Sequence, residues 1–594
     1  MVISKQTSPY DYDVVIIGGG PSGTTVASLV RKYNPALRVL ILEKEKFPRD
    51  HVGESQLPGC SMVLHEMGAW DKVEAQNFPV KIGASYTWGR DNDSWEFDFF
   101  PVDQYEDRPR PDKYQGQRLS TAFQVDRAVY DEILLRQSEE LGAEVREQTK
   151  VNEVMHEDGR VTGLKLSDGS TVTAKHYVDA SGHHSIIRRS LGVPVWTPKA
   201  LQNIAVWNYY QNEKWGEKIG VGATRVQVRS IPWGWMWFIP LGPTRTSVGL
   251  VTPAEHYKST GKTPEQLYHD SLPVDPTLRE LMVGAVAEGP VQSTKDWSFL
   301  SDYITGPNWF LVGEAVGFAD PVLAAGMNIA HNSAKDLACT ILEIERGEVE
   351  ADWLKQRYND RTRLNVKQHI QFAEFWYAAN GCFTDLREHC QNIAKESGLS
   401  LSPQEAWAWL SQGGFVTELP GHAELGSFDL GLTKSLIELF GEDGKPLDFE
   451  IDKNNVFDLD LEGAVAVRQG YPEKGRIRIA RGFQRGDKTL LVHNFFLLAF
   501  TALMQSKDLD KIMQHMRATL SASGVKPDQM NAFFHQGMMA LEAMIAEGWV
   551  KASLDRTKPT LQRRSTGTVL LSSKEWQPHA DARTKTVAGG KGMS

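Results

Sequence analysis

The chain has 594 residues, more than one compact core accommodates, so two or three domains are expected. Apolar residues make up 41% and charged residues 24%; with a formal charge of -10 and a pI of about 5.9, a chain-wide surface for nucleic acid or anionic membranes is excluded. No apolar run approaches the roughly 20 residues that span a bilayer, and no basic flank with an apolar stretch opens the chain. Cys60, Cys339, Cys382 and Cys390 form no C-x-x-C pair, which predicts reduced thiols, no metal site and a cytoplasmic protein.

In chain order, Tyr12 to Ile17 is an apolar, β-branched run, followed by Gly18-Gly19-Gly20-Pro21-Ser22-Gly23, a helical stretch Thr24 to Arg31, and a second apolar run Leu37 to Leu42 that ends at Glu43. Strand, glycine turn, helix, strand is the order of a dinucleotide-binding βαβ unit. Gly18 allows the tight turn, Gly20 lets a pyrophosphate approach the backbone, and Gly23 lets helix pack on strand. The helix N-terminus offers free N–H groups to phosphate. Glu43, 20 residues past Gly23, suits the ribose hydroxyls.

Glu153 to Ala174 reads as strands turning at Asp158-Gly159 and Asp168-Gly169, and strand-like runs continue to about Leu300. From Met327 to about Leu410 the texture is helical. Gly426 to Leu461 reads as loops. Val465 to Asn494 reads as a hairpin turning at Tyr471-Pro472 and a second near Gly486-Asp487. Helices are expected over Phe495 to Met504 and Met530 to Ile545, and the tail after Thr557 is expected to be poorly ordered. The expected domains are a core over 1–340 with an inserted β-sheet subdomain at about 80–130 and 195–300, a mostly helical part over 341–557 with a winged-helix-like piece near 460–550, and a tail over 558–594.

Several segments carry a resemblance. Asp179-Ala180-Ser181-Gly182 with Arg188 is similar to the second glycine motif of the aromatic-hydroxylase superfamily. Leu311-Val312-Gly313-Glu314-Ala315 resembles its Gly-Asp motif, with glutamate for aspartate, and Gln124-Val125-Asp126-Arg127 resembles the arginine segment near the flavin diphosphate. Trp235, Trp237, Ile239 and Pro240 form the W-x-W-x-I-P pattern of flavin-dependent halogenases. Phe318 to Gly326 is similar to that family's F-x-x-P-x-x-S-x-G with Ala324 for serine. Phe78 to Gly89 resembles the segment bearing its essential lysine, here Lys81, and Phe47-Pro48-Arg49 to Ser55 resembles the segment that closes over the isoalloxazine. The likeness covers about the first 400 residues.

The resemblance implies an α/β protein with a Rossmann-like FAD-binding domain, a β-sheet substrate-side subdomain and a mostly helical C-terminal domain. It implies FAD held by Gly18, Gly20, Gly23, Glu43, Arg49, Arg127, Asp179, Gly182, Gly313, Glu314, Pro321 and Gly326. No second glycine-rich βαβ unit for NAD(P)H is found, so reduced FAD is expected from a partner flavin reductase. With O2 and chloride or bromide, reduced FAD gives hypohalous acid, with the halide at the N–H groups of Ala325 and Gly326. Trp235, Trp237, Ile239 and Pro240 would keep substrate from flavin; at about 150–250 Å² each, the tryptophans would also serve as core. Lys81 would relay the oxidant, hydrogen-bonding hypohalous acid or forming a haloamine. A haloamine needs a neutral amine, hence a desolvated place that lowers the usual pKa of about 10.4. Tryptophan halogenases carry a glutamate where Leu323 stands, so the substrate is expected to be a phenolic or pyrrolic small molecule, free or tethered to a carrier protein. Asp296 roughly matches an aspartate that one branch bonds to flavin, although an ordinary surface turn is the preferred reading. His331 and Glu54 are acid/base candidates by their nearness to motifs. The alternatives are an FAD monooxygenase or prenyl-chain reductase of the same superfamily, and a C-terminal module whose basic tail (Arg563, Arg564, Lys574, Arg583, Lys585) touches an acidic carrier.

Overall fold

The structure is a computed structural model and describes residues 9–88, 94–100, 104–212, 223–295, 297–378, 449–486, 488–525 and 527–561. The chain divides into two compact units, one of residues 1–83, 99–374 and 472–478, the other of residues 84–98, 375–471 and 479–594.

The first unit begins as expected: β1 (Tyr12–Ile17), α1 (Pro21–Tyr33) and β2 (Val39–Leu42). With β4 (Glu144–Arg146), β5 (Ala174–Asp179) and β10 (Trp309–Leu311) they give a parallel sheet in the order β10-β5-β1-β2-β4. Val14, Val15 and Ile16 are fully buried. A parallel sheet covered on both faces selects such an unbroken apolar run. Pro21 opens α1, where its missing N–H costs nothing. The helix α3 (Arg127–Glu140) starts on an Asp126 cap that accepts from the Ala128 N–H. A 21-residue helix, α4 (Gly326–Arg346), packs against α1, and α5 (Ala351–Ala378) follows. Both lie in the region read as helical. The Asp158-Gly159 turn is present, with φ +46° and +75°, between strands Val151–Glu157 and Arg160–Leu166.

The same unit carries an antiparallel sheet of β6 (Asn203–Gln211), β7 (Ala223–Ile231), β8 (Gly234–Pro240) and β9 (Arg245–Pro253) in the order β6-β9-β8-β7, continued by β3 (Val80–Thr87), of which residues 80–83 belong to this unit. Met236, Phe238, Val206, Val248 and Leu250 face one way, into a core completed by Leu267, Tyr268 and Leu278 of two short helices. By alternation Trp235, Trp237, Ile239, Trp207 and Tyr209 face the other way. Both faces are buried, which explains why β8 reads as apolar at every position.

In the second unit, helices Asn494–Gln505, Leu509–Ala522 and Pro527–Ala546 enclose a core with Ile451, Phe457, Trp549 and Val550. The middle helix was not expected, although Leu509, Ile512, Met516 and Leu520 are spaced as one helical face. Within the stretch read as loops, the described residues form the helix Glu450–Lys453 and the strand Val456–Leu459. The hairpin of strands Val465–Glu473 and Arg476–Arg485 turns at Lys474-Gly475, not at Tyr471-Pro472; both turn residues take positive φ, which glycine adopts freely and proline cannot. The hairpin near Gly486 is present. The basic tail and Asp296 lie outside the described residues, as do Cys382 and Cys390.

Candidate active site and cofactor cradle

Glycine is required in the first turn for reasons of space. A Cβ on Gly23 would lie 2.0 Å from the Gly18 carbonyl oxygen, and one on Gly18, where φ is +110°, would lie 2.4 Å from that of Ala180. At Gly20 the nearest atom to an added Cβ is Nη2 of Arg49, at 3.7 Å. An arginine thus stands beside the N-terminus of α1, where a phosphate would meet both. Asp131 is shared by two cations, Arg49 at 3.1 Å and Arg127 at 2.7 Å. Burial alone pushes the Asp131 carboxyl up, but the two arginines overcome it and hold it below its usual range. Two guanidiniums share this one ion-paired carboxylate, an arrangement suited to a diphosphate, with Glu314 and Glu54 also acting on Arg127. Arg127 also donates to the carbonyls of Val52 and Gly53, so it pins the segment that leads to Glu54.

Glu43 is buried at the end of β2 and accepts from the N–H groups of Gly19 and Glu45 at 2.7 and 2.8 Å. Asp179 spends its carboxylate on Ser181 and the Ile187 N–H, and so holds the second glycine turn in shape. Gly182 has φ +65°, and an added Cβ there would sit 3.8 Å from Oε2 of Glu314. Gly313, at φ +60°, backs onto Ser22 of α1; a Cβ would come within 2.1 Å of the Ser22 hydroxyl. Glu314 follows, partly buried, with its other oxygen 3.7 Å from an added Cβ on Gly326. Glu314 therefore stands between the second glycine turn and the start of α4. Pro321 opens the short 3-10 turn capped by Asp320, whose carboxylate accepts from the Val322 N–H, and Ala324 takes φ +53°. Among the described residues, no backbone hydrogen bond takes the N–H groups of Ala325 and Gly326, as at any first helical turn. A halide there would have the Glu314 carboxyl as a neighbour. Burial pushes that carboxyl up, against the pull of Arg127. The residues fit FAD: a glycine turn without room for side chains, a cationic pair and an acid at the end of β2.

Lys81 lies on β3 and is 1% exposed. Its Nζ donates to the Gln56 carbonyl at 2.9 Å and lies 5.3 Å from the centre of the Phe99 ring. Among the described residues no carboxylate compensates it, and burial lowers its pKa to about 7, with the Cys60 thiol opposing the fall. Burial pushes that thiol up to about 12. The lysine is therefore substantially neutral near neutral pH, as nucleophilic attack on an electrophilic halogen requires.

Register places Lys81 on the tryptophan face. Lys81 pairs with Ala122, so Gln124, two residues on, shares its side. Gln124 bridges to Ser55, and its Nε2 donates to Thr224 at 2.7 Å. On β7, Thr224 shares a side with Val228 and Ser230, which pair with Trp237 and Trp235. Trp235 and Trp237 are 1% and 6% exposed, with ring centres 5.9 Å apart. Trp237 donates to Ser247 and lies flat over Gly249, where a Cβ would meet its ring at 2.1 Å. The segment 51–56 crosses this face: Tyr209 donates to Glu54 at 2.9 Å at one end, and Gln56 accepts from Lys81 at the other.

Two candidates move. His331 is fully buried in the packing of α1, α3 and α4, its nitrogens bonded to Thr25 at 2.9 Å and Tyr130 at 2.7 Å. It is a core histidine, and its place near the halide motif in sequence is a consequence of helix α4 running away from that motif. Glu54 is buried and held by Tyr209 and the Gly53 N–H; burial pushes its carboxyl up. Sequence reasoning missed Asp131 and Tyr209, and gave Gln124 and Ser55 no role beyond their motif segments. Of the first two only Asp131 had a local signal, lying four residues after Arg127 on one helical face.

A family model described as tryptophan halogenase matches residues 13–110 and 102–390. The 1H-pyrrole-2-carbonyl-[peptidyl-carrier protein] chlorinase of Pseudomonas fluorescens is 30% identical over 64% of this chain and 86% of its own length. The tryptophan 2-halogenase of Chondromyces crocatus is 32% identical over 58% of this chain and 63% of its own length. Among solved structures, the myxobacterial chondrochloren halogenase CndH superposes with a TM-score of 0.56 at 27% identity, covering 72% of this chain and 96% of that one. The flavin-dependent halogenase CmlS shares the fold over 93% of this chain and 98% of its own, with a TM-score of 0.67 at 23% identity. Glycine cradle, arginine pair, tryptophan face and buried lysine thus lie within the matched span, and the chain belongs to the tryptophan-halogenase family of flavin-dependent halogenases.

Proposed function

We propose that this enzyme chlorinates or brominates an electron-rich phenolic or pyrrolic ring, free or tethered to a carrier protein, with Lys81 as the relay. Reduced FAD, with O2 and a halide, supplies hypohalous acid at the site. The cradle of Gly18, Gly20, Gly23, Glu43, Arg49 and Arg127 holds FAD, with Glu314 beside it, and the N–H groups of Ala325 and Gly326 take the halide. Trp235, Trp237, Ile239 and Pro240 keep the ring from the flavin. Lys81 Nζ takes the halogen or hydrogen-bonds the hypohalous acid and aims it at carbon. The single observation that carries this is a buried lysine, with pKa lowered to about 7, on the same sheet face as Trp235 and Trp237.

The ring type draws on Leu323, which stands where tryptophan halogenases have a glutamate, and on relatives named as chlorinase and brominase of 1H-pyrrole-2-carbonyl carrier proteins. A flavin reductase as electron donor and a cytoplasmic location belong to the same proposal; no helix among the described residues is long and apolar enough to cross a membrane. The test is mass spectrometry of products from phenols, pyrroles and acyl-carrier substrates, with a flavin reductase and each halide in turn. Halogenated product that vanishes in Lys81→Ala, while FAD binding and oxidation persist, is expected. Normal yield from Lys81→Ala, or oxygenation that ignores halide, would sink the proposal.

A further inference from the structure

Near Lys81 lie buried polar atoms without a hydrogen-bond partner among the described residues: Ser55 Oγ, Gln56 Oε1 and Gln124 Oε1. Ser55 is 7% exposed; Gln56 and Gln124 are fully buried. Leaving such an atom unmade is unfavourable, so orphans gathered beside a reactive side chain signal a missing partner. Gln56 is set aside, because its amide reaches toward Met327, its Nε2 3.8 Å from the sulfur.

Gln124 cannot be turned end for end. Its Nε2 donates to Thr224 Oγ1, and Thr224 in turn donates to the Val80 carbonyl at 3.0 Å. That carbonyl only accepts, so the one hydroxyl hydrogen of Thr224 is committed to it, and Gln124 must present its NH2 group to Thr224. Its Oε1 is left pointing elsewhere with both lone pairs unused. The carbonyl of Pro79 accepts from the Gln124 N–H, so Lys81 is the next same-side residue along β3, in diagonal reach. Ser55 flanks Gln124 across the strand bridge.

We propose that Gln124 Oε1, with Ser55 Oγ beside it, accepts the hydrogen bond from the N–H of a pyrrole or the O–H of a phenol and so decides which ring carbon meets Lys81. This rests on the halogenase function proposed above. A neutral amide oxygen suits the task. It polarises the donor and enriches the ring carbons, yet adds no negative charge that would repel the oxidant's oxygen. It also makes a ring donor a requirement, since a methylated nitrogen or oxygen would leave the amide unpaired.

The test compares 1H-pyrrole-2-carbonyl carrier protein with its N-methyl counterpart, and phenol with its methyl ether, in wild type, Gln124→Leu and Gln124→Met. FAD affinity is measured in each by fluorescence quenching. Wild type should favour the donor-bearing member of a pair by about tenfold or more in kcat/KM. Gln124→Leu and Gln124→Met should erase the preference with FAD affinity unchanged. Wild type without a preference, a Leu or Met variant that retains it, or a loss confined to FAD affinity would each overturn the inference alone. Wild type that halogenates none of the four probes would remove the functional proposal and this inference with it.

Discussion

Lys81→Met should make the protein more stable at neutral pH while abolishing halogenation. The wild-type amine is desolvated without a carboxylate partner, and its pKa falls from 10.5 to about 7. Between those values the unfolded chain binds a proton that the folded chain does not, so stability rises with pH across that window. At pH 7 and below the penalty is about 5 kcal/mol, and it shrinks to nothing near the ordinary lysine value. Methionine fills a similar volume and removes the penalty, but it leaves the Gln56 carbonyl without its donor, at roughly 2 kcal/mol. The variant should therefore gain about 3 kcal/mol at pH 7, break even near about pH 9 and be the less stable form above that. Urea unfolding of both proteins at a series of pH values, followed by the exposure of tryptophans in the first unit, gives the difference directly. A gap that does not change with pH, or a variant less stable at pH 7, would refute the picture of a neutral, uncompensated lysine.

Gly249→Val should displace Trp237, because no Cβ fits under its ring. A loss of about 2 kcal/mol in urea unfolding and a red-shifted tryptophan emission are expected, and native emission would count against the packing described. His331 is held neutral by burial, which lowers its pKa from 6.5 to about 4. The unfolded state binds the extra proton in that window, so about 3 kcal/mol of stability should drain as pH falls through it. His331→Gln should lack that acid-sensitive step, and a wild-type-like pH slope in the variant would contradict the assignment.

The cofactor cradle was legible because its signals are local. A tight turn, a helix N-terminus and an acid on the next strand occupy a fixed spacing within one βαβ unit, and Gly18, Gly20, Gly23 and Glu43 stand where that spacing puts them. The tryptophan strand was legible from its pattern. The turn at Lys474-Gly475 was misplaced because Tyr471-Pro472 looks like punctuation, whereas positive φ at two successive residues decides where this hairpin turns. His331 misled for a similar reason: nearness along a helix does not say which side of it a residue occupies.

By its sequence alone the chain determines a Rossmann-like flavin cradle and the motif order of a halogenase, since each motif is a contiguous stretch whose chemistry travels with it. The state of Lys81 is another matter. Its burial, and with it the lowered pKa, comes from the assembled sheet, where the stretch bearing Gln56 and Cys60 and the separate stretch bearing Phe99 close around it, the Cys60 thiol opposing the fall. The acceptor pair of Ser55 and Gln124 likewise exists through strand register, where a one-residue slip would turn both side chains to the opposite face. Desolvation and register belong to the assembled sheet, so only the tertiary structure decided them.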